Sequence, residues 1–477
     1  MYIHEKSSIV IGNEECSFKK KWRYVIDLKI FIELHGLKRI GLYSDNNLEW
    51  ILVDLACLWA KVTLIPIPLY FSTSQIRHIV EVSEMDALLE VGDSVCETVR
   101  PIHVIHFKET IRCKIIRRGA FDESAIRKIT FTSGSTGTPK GVLLTEESMI
   151  NVARSVANAI SMDSEDIHLC VLPLSVLLEN VAGVYSSLYA GAKIVILPLD
   201  EMGFSGSSMI DAEKLFYALS KYSITTAITT PQILTELIEY IDKNSLGLPA
   251  LRMLGVGGGV VSKRILQKSL SLSIPVYEGY GLSEVGSVAC LNFPGNNRLG
   301  SVGKPLPHVD VFIEGDEIKI RKNLFSGYLE EDYFDSEGIC STGDLGCFDS
   351  DGYLYIRGRK KNIIVSSYGR NISPEWVESE LLFCEEIKQV CVFGEGKPYL
   401  VALIYSPECE DIESVLKRVN TSLPDYARIR DYLLVKNEFS VVNKQLTGNM
   451  KIRRDVIYGS YQNEIEALYS RNPKKNL

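Results

Sequence analysis

The chain has 477 residues, 46% hydrophobic and 23% charged; the length calls for more than one domain, and the composition is ordinary for a packed globular protein. A formal net charge of -8 argues against a general nucleic-acid binder. Eleven cysteines, scattered and without a CxxC pair, argue against a zinc or disulfide framework and for a reducing, cytoplasmic compartment.

The opening MYIHEKSSIVIG lacks a charged-then-apolar signal pattern. RIGLYS (39–44) reads as a strand, 47–61 as a helix and VTLIP (62–66) as the next strand. The apolar run from Trp50 to Phe71 is broken by Asp54, Lys61 and two prolines, so no transmembrane segment is expected there. Residues 148–160 read as a helix. HLCVLP (168–173), KIVIL (193–197), TTAIT (225–229) and RMLGV (252–256) read as buried strands. This alternation predicts two parallel sheets flanked by helices. After residue 298, short runs such as VDVFI, EIKI and GYLYI predict a small antiparallel, barrel-like section. From about 362 onward a mixed pattern predicts a separate small α+β domain, with a helix at PEWVESELL and strands at QVCVFG and YLVALIYS. The fold class is α/β, a large domain over 1–360 and a small mobile one over 361–477.

The chemistry concentrates in ITFTSGSTGTPKGVLLT (129–145). A strand leads into a loop containing Thr132, Ser133, Gly134, Ser135, Thr136 and Lys140, and a second strand follows. Glycines let the backbone approach a ligand, hydroxyls and N–H groups donate to phosphate oxygens, and the lysine adds a point charge. The loop is not a Walker motif, because the Gly-Lys-Ser/Thr spacing is missing. A plain Ser/Gly/Thr surface loop is the alternative, disfavoured by its place between two buried-looking strands.

The SGSTGTPKG loop resembles the adenylate-forming superfamily of acyl-CoA synthetases, peptide-synthetase adenylation domains and luciferases. The resemblance covers nearly the whole chain, with further motifs in the expected order. VYEGYGLSEVGS (276–287) resembles the second signature. It implies that Tyr280 stacks on adenine beside Gly281, Ser283 contacts the α-phosphate and Glu284 holds Mg²⁺. An aromatic face suits a purine, and a hard carboxylate suits magnesium beside phosphates. Gly257, Gly258 and Gly259 would let backbone lie along the adenine and acyl groups. Asp344 and Arg359, in STGDLGCFDSDGYLYIRGR, stand where the family contacts ribose. Lys361 takes the hinge position, where many members have aspartate. Gly369 stands in the segment that implies a pantetheine tunnel. Lys451, in TGNMK, stands where the family bridges the carboxylate and the α-phosphate.

The resemblance implies ATP, Mg²⁺ and coenzyme A, or the phosphopantetheine of an acyl carrier protein, as the small-molecule requirements. The segment 172–192 resembles one wall of an acyl pocket; its only acid is Glu179, where the family more often uses a glutamate for ATP and metal chemistry. Without an aspartate to pair an α-amine, and with Val176 where many members have histidine or an aromatic, a fatty or other apolar carboxylic acid is the expected substrate. The seven histidines suggest no metal cluster. The expected reaction is acyl-AMP formation followed by transfer to coenzyme A. A carrier-protein ligase and a non-catalytic nucleotide-binding relative are the two other readings. The strand-like opening is expected to be abbreviated.

Overall fold

The computed structural model describes the chain except for residues 1–3, 5, 12–13, 117–124, 134–138, 206–208, 330–337, 385, 408, 410, 441, 447–451 and 472–477, and the side chains of 14, 133, 205 and 209. Two large sheets dominate it. The first holds seven strands, in the order His103–Phe107, Ile111–Ile115, Ala87–Val91, Arg39–Tyr43, Thr63–Ile67, Ile126–Ser133 and Pro139–Thr145. Its central four strands are parallel, and antiparallel hairpins close both ends. The second holds nine strands; its parallel part runs through Val276–Tyr280, Met253–Val256, Thr226–Thr229, Ile167–Leu169, Lys193–Ile196 and Ser8–Ile11.

Helix Leu48–Ala60 shows why the sequence folds as it does here. The Asn47 side chain accepts from the Trp50 amide, satisfying one donor of the first turn, and Lys61 ends the helix at φ 55°. Ten of its residues are buried, because it lies in the core shared by both sheets. That core joins Leu42 and Leu64 of the first sheet, Ile194 of the second, and Met149 of helix Glu146–Ala159. No described helix is long and apolar enough to cross a membrane.

Three findings amend the sequence expectations. Of HLCVLP only His168 and Leu169 are strand, within Ile167–Leu169; further on, the Leu172 amide bonds the Glu179 carboxylate instead of a neighbouring strand. The opening forms two strands, Ser8–Ile11 and Glu14–Ser17, that extend the nine-stranded sheet. Within 172–192, Leu178–Tyr185 is a π-helix.

The section after 298 carries a four-stranded antiparallel sheet, Asp310–Glu314, Glu317–Arg321, Ile339–Phe348 and Leu354–Arg359. The C-terminal part is a three-stranded sheet of Gln389–Phe393, Leu400–Tyr405 and Ile429–Leu434. Alternation places Val390, Val392, Ala402 and Ile404 in one small core and Cys391, Phe393, Val401 and Leu403 in another. Helices Pro374–Leu381 and Ile412–Asn420 cover the first face; Arg454–Ser460 and Gln462–Ser470 cover the second.

Candidate active site

Most of the motif residues gather beyond the carboxyl ends of two neighbouring strands of the nine-stranded sheet, where open α/β sheets bind ligands. Met253–Val256 runs into Gly257–Gly259, and Val276–Tyr280 runs into Gly281. The Gly257 amide donates to the Thr229 carbonyl at 3.2 Å, and Gly258 turns the chain at φ 86°. A Cβ on Gly281 would lie 1.6 Å from the Ser287 carbonyl oxygen, so no other residue fits that crossing.

Tyr280, Asp344 and Arg359 form one hydrogen-bonded group. Asp344 and Arg359 face each other across adjacent antiparallel strands, with Arg359 Nε 2.7 Å from Asp344 Oδ1. The Tyr280 hydroxyl donates to Asp344 Oδ2 at 2.7 Å. Burial first, and then the neighbouring Asp344 charge, push the Tyr280 hydroxyl well above its usual range, so it stays protonated as a donor. The Asp344 amide donates to Thr342 Oγ1 at 3.0 Å, which fixes the aspartate in place.

Ser283 and Glu284 open the short 3₁₀ turn Ser283–Val285. The Tyr328 hydroxyl donates to Glu284 Oε1 at 2.6 Å. Tyr328 is delivered by residues 326–329, which pair with strand Pro139–Thr145 through the Leu143 and Leu329 amides. The same ring lies 5.5 Å from Lys140 Nζ. Thr132 faces Lys140 across the hairpin. The structure therefore brings Thr132, Lys140, Ser283 and Glu284 to one side of the site. Gly134, Ser135, Thr136 and Lys451 lie outside the described residues, as does the Ser133 side chain.

A cavity of about 170 Å³ opens beside these residues. Gly257, Gly258, Tyr280, Gly281 and Ser283 line one part of it. The remainder is mostly apolar, with Val176, Leu178, Ala182, Met253 and Leu291 in its wall. This agrees with the expected apolar acid pocket, and Val176 stands in it.

Glu179 departs from its expected place in ATP and metal chemistry. It is fully buried: Oε1 bonds His168 Nε2 at 2.9 Å, and Oε2 accepts from the Leu172 amide at 2.8 Å. His168 Nδ1 lies 3.1 Å from Thr226 Oγ1, and both His168 and Thr226 line the cavity. The histidines form no cluster of their own, yet His168, Cys170 and Glu179 bring potential ligand atoms within 4.8 Å of one another. Sequence reasoning missed this pairing. Its signal was a lone histidine in an apolar strand followed by a lone acid in an apolar helix, since buried polar groups need partners.

Lys361 sits in the 3₁₀ turn Lys360–Asn362, directly after strand Leu354–Arg359. Gly369, at φ 70°, turns the chain between strands Ile364–Val365 and Asn371–Ile372, its amide bonded to the Ser366 carbonyl at 2.8 Å. Both are exposed. Lys361 follows Arg359 by two residues and lies near enough to Arg359 and Asp344 for their charges to act on it; partial burial is the first cause that lowers the pKa of its ammonium group.

Comparison with known proteins agrees with this geometry. The AMP-binding enzyme family matches residues 32–323, and the AMP-binding enzyme C-terminal domain matches 361–473. The long-chain-fatty-acid–CoA ligase FadD15 of Mycobacterium bovis is 25% identical over 91% of this chain and 88% of its own. The 2-succinylbenzoate–CoA ligase of Bacillus cereus is 26% identical over 82% of both. The o-succinylbenzoate CoA synthetase of Bacillus subtilis, solved with its acyl-adenylate intermediate, superposes with a TM-score of 0.78 at 20% identity, covering 94% of each chain. The motifs, the two-sheet architecture and the family match agree: this chain belongs to the AMP-binding enzyme family, within the adenylate-forming superfamily.

Proposed function

We propose that the protein is an AMP-forming acid–thiol ligase that activates an apolar carboxylic acid as its acyl-adenylate and passes the acyl group to coenzyme A. The observation that carries this reading is the junction of two surfaces in one cavity. A glycine-lined end, where Tyr280 bonds Asp344 and Asp344 pairs with Arg359 behind it, suits a nucleotide, and an apolar end suits an acyl chain. Long-chain fatty acids and 2-succinylbenzoate are named for the relatives; the mostly apolar wall here favours the more apolar acids.

In the first step a carboxylate oxygen attacks the α-phosphorus of ATP, and the bond to the β-phosphate oxygen breaks to release pyrophosphate. In the second a thiol sulfur attacks the acyl carbon, AMP leaves and the thiol proton passes to solvent. The first step brings a carboxylate towards a triphosphate, so the site must screen like charges. Lys140 and the hydroxyls of the phosphate loop take the phosphates, Lys451 bridges the carboxylate and the α-phosphate, and Ser283 bonds the α-phosphate. Tyr280 supplies a flat face for adenine, and Asp344 with Arg359 accepts and donates to the ribose hydroxyls. Glu284 offers an oxygen ligand for Mg²⁺, a role its geometry suits because the Tyr328 hydrogen bond occupies only Oε1. When bound, that ion neutralises phosphate charge.

The boundary between the large and small domains falls at Lys361, where the second family match begins, and the segment around Gly369 serves the thiol step. All eleven cysteines are free, which favours a reducing cytoplasm.

Pyrophosphate release against graded carboxylic acids, with coenzyme A and a phosphopantetheinylated carrier protein in parallel, tests the reading. An acyl-CoA product from an apolar acid is expected. A thioester only on the carrier protein would replace coenzyme A as acceptor. ATP binding without pyrophosphate release from any acid would leave a nucleotide-binding relative.

A further inference from the structure

The π-helix Leu178–Tyr185 faces three ways at once. Leu178 and Ala182 line the cavity. Glu179 is spent on His168 and the Leu172 amide. Asn180 and Tyr185 both reach a single buried carboxylate: Asn180 Nδ2 donates to Asp54 Oδ2 at 2.9 Å, and the Tyr185 hydroxyl donates to the same oxygen at 2.8 Å. Lys128 completes the cluster, with Nζ 3.0 Å from Asp54 and 3.1 Å from the Tyr185 hydroxyl, and a further bond to Asn180 Oδ1. All four side chains are at least 98% buried. They join helix Leu48–Ala60, the strand that leads into the phosphate loop, and the cavity wall.

The wide turn makes this arrangement possible. At 3.6 residues per turn, side chains five apart in an α-helix point roughly 140° from each other. The i→i+5 repeat of a π-helix brings them to one side, so Asn180 and Tyr185 can share Asp54 while Leu178 and Ala182 face the cavity. A fully buried lysine and aspartate are costly to keep for stability alone, because apolar residues of similar volume often serve as well.

We propose that Lys128, Asp54, Asn180 and Tyr185 are positioning residues that hold the π-turn Leu178–Tyr185, and with it the cavity-facing Leu178 and Ala182, in register for selection of the acid. The cluster touches neither ATP nor the acid. It acts by keeping Leu178 and Ala182 from yielding to an acid of the wrong shape. This rests on the acid-activating reading given above.

The test compares wild type, Tyr185→Phe and the apolar exchange Lys128→Met/Asp54→Leu, measuring pyrophosphate release over a graded series of straight-chain and aryl acids. The apolar exchange leaves the buried Asn180 amide and Tyr185 hydroxyl without their Asp54 and Lys128 partners, so it is expected to melt below the wild type. Its KM for the preferred acid should rise about 10-fold, and poorly used acids should come within roughly 3-fold of the preferred one, differences of the size a pocket wall controls. Its KM for ATP should stay within about 2-fold, which separates a moved wall from a general structural fault. Tyr185→Phe should shift the acid ranking the same way by a smaller factor, and it decides the matter if the double variant does not fold. Folded variants with an unchanged acid ranking, or with KM for ATP raised as much as KM for acid, overturn the proposal. No pyrophosphate from the wild type with any acid overturns the acid-activating reading itself, and this proposal with it.

Discussion

Strand Val276–Tyr280 carries three titratable side chains, Tyr277, Glu278 and Tyr280, and the last two have different duties. Tyr280 serves the site, whereas Glu278 bonds the Gly300 amide at 3.0 Å, and burial pushes its carboxyl up to about 7 from a usual 4.5. A raised carboxyl binds its proton more tightly in the folded chain. The stability it contributes is fully present below pH 4.5 and is lost as pH rises through about 7. Glu278→Gln should therefore change stability little at pH 5 and gain about 2 kcal/mol at pH 8, a figure reduced from the full shift because the side chain is only partly buried. Urea melts at the two pH values check this; an equal gain at both would dismiss a buried charge as the cause. Lys451 is a residue-scale matter of another kind, legible only through its motif. Lys451→Ala should slow adenylation by about 10²–10³, the usual loss of one transition-state donor, and an unchanged rate would remove it from the first step. Lys128 was harder to read: one lysine in KITFT looks like an ordinary strand-edge charge, and only three-dimensional contact shows that it is buried against Asp54.

Among the elements, those shaped by local rules were the legible ones. The apolar run over 47–61 reads as a helix, although Asn47 caps it rather than joining it, and QVCVFG and YLVALIYS read as strands, though not as strands covered on two faces. The π-helix was not legible, since its apolar run fits any buried helix and its width is set by partners on Asp54 and His168, in other elements. The short strand Ile167–Leu169 was overread for the same reason, because Glu179 claims an amide that would otherwise have looked available for pairing. The 3₁₀ turn Ser283–Val285 follows a crossing so close that Gly281→Ala has to move the Ser287 backbone. That variant should lose a few kcal/mol of stability, as strained backbone substitutions do, together with most adenylation, because Ser283 and Glu284 would shift with the turn. Calorimetry alongside pyrophosphate release tests both; a variant that melts and reacts like the wild type would show that the crossing can relax.

For the whole molecule, the second family match begins at Lys361, in the turn Lys360–Asn362, some way past the end of the first at residue 323. Between helices Lys263–Ser271 and Pro374–Leu381 the contact includes an exposed ion pair, Lys263 with Glu380 at 3.4 Å, and exposed pairs are worth under about 1 kcal/mol. That pair would oppose the proposed rotation of the small domain only weakly. Lys361→Pro should accordingly leave adenylation near the wild-type rate and abolish thioester formation, since proline fixes the φ that a hinge must change. Single-turnover assays of each half-reaction decide, and equal loss of both would place the hinge elsewhere. The parallel architecture has a consequence for synthesis of the chain. Strand Ser8–Ile11 pairs in register with Lys193–Ile196, so during synthesis it has no parallel partner until residues 193–196 have been added. At about 5–20 residues per second, its edge waits on the order of 10–40 s, a window in which a nascent-chain chaperone would find it exposed.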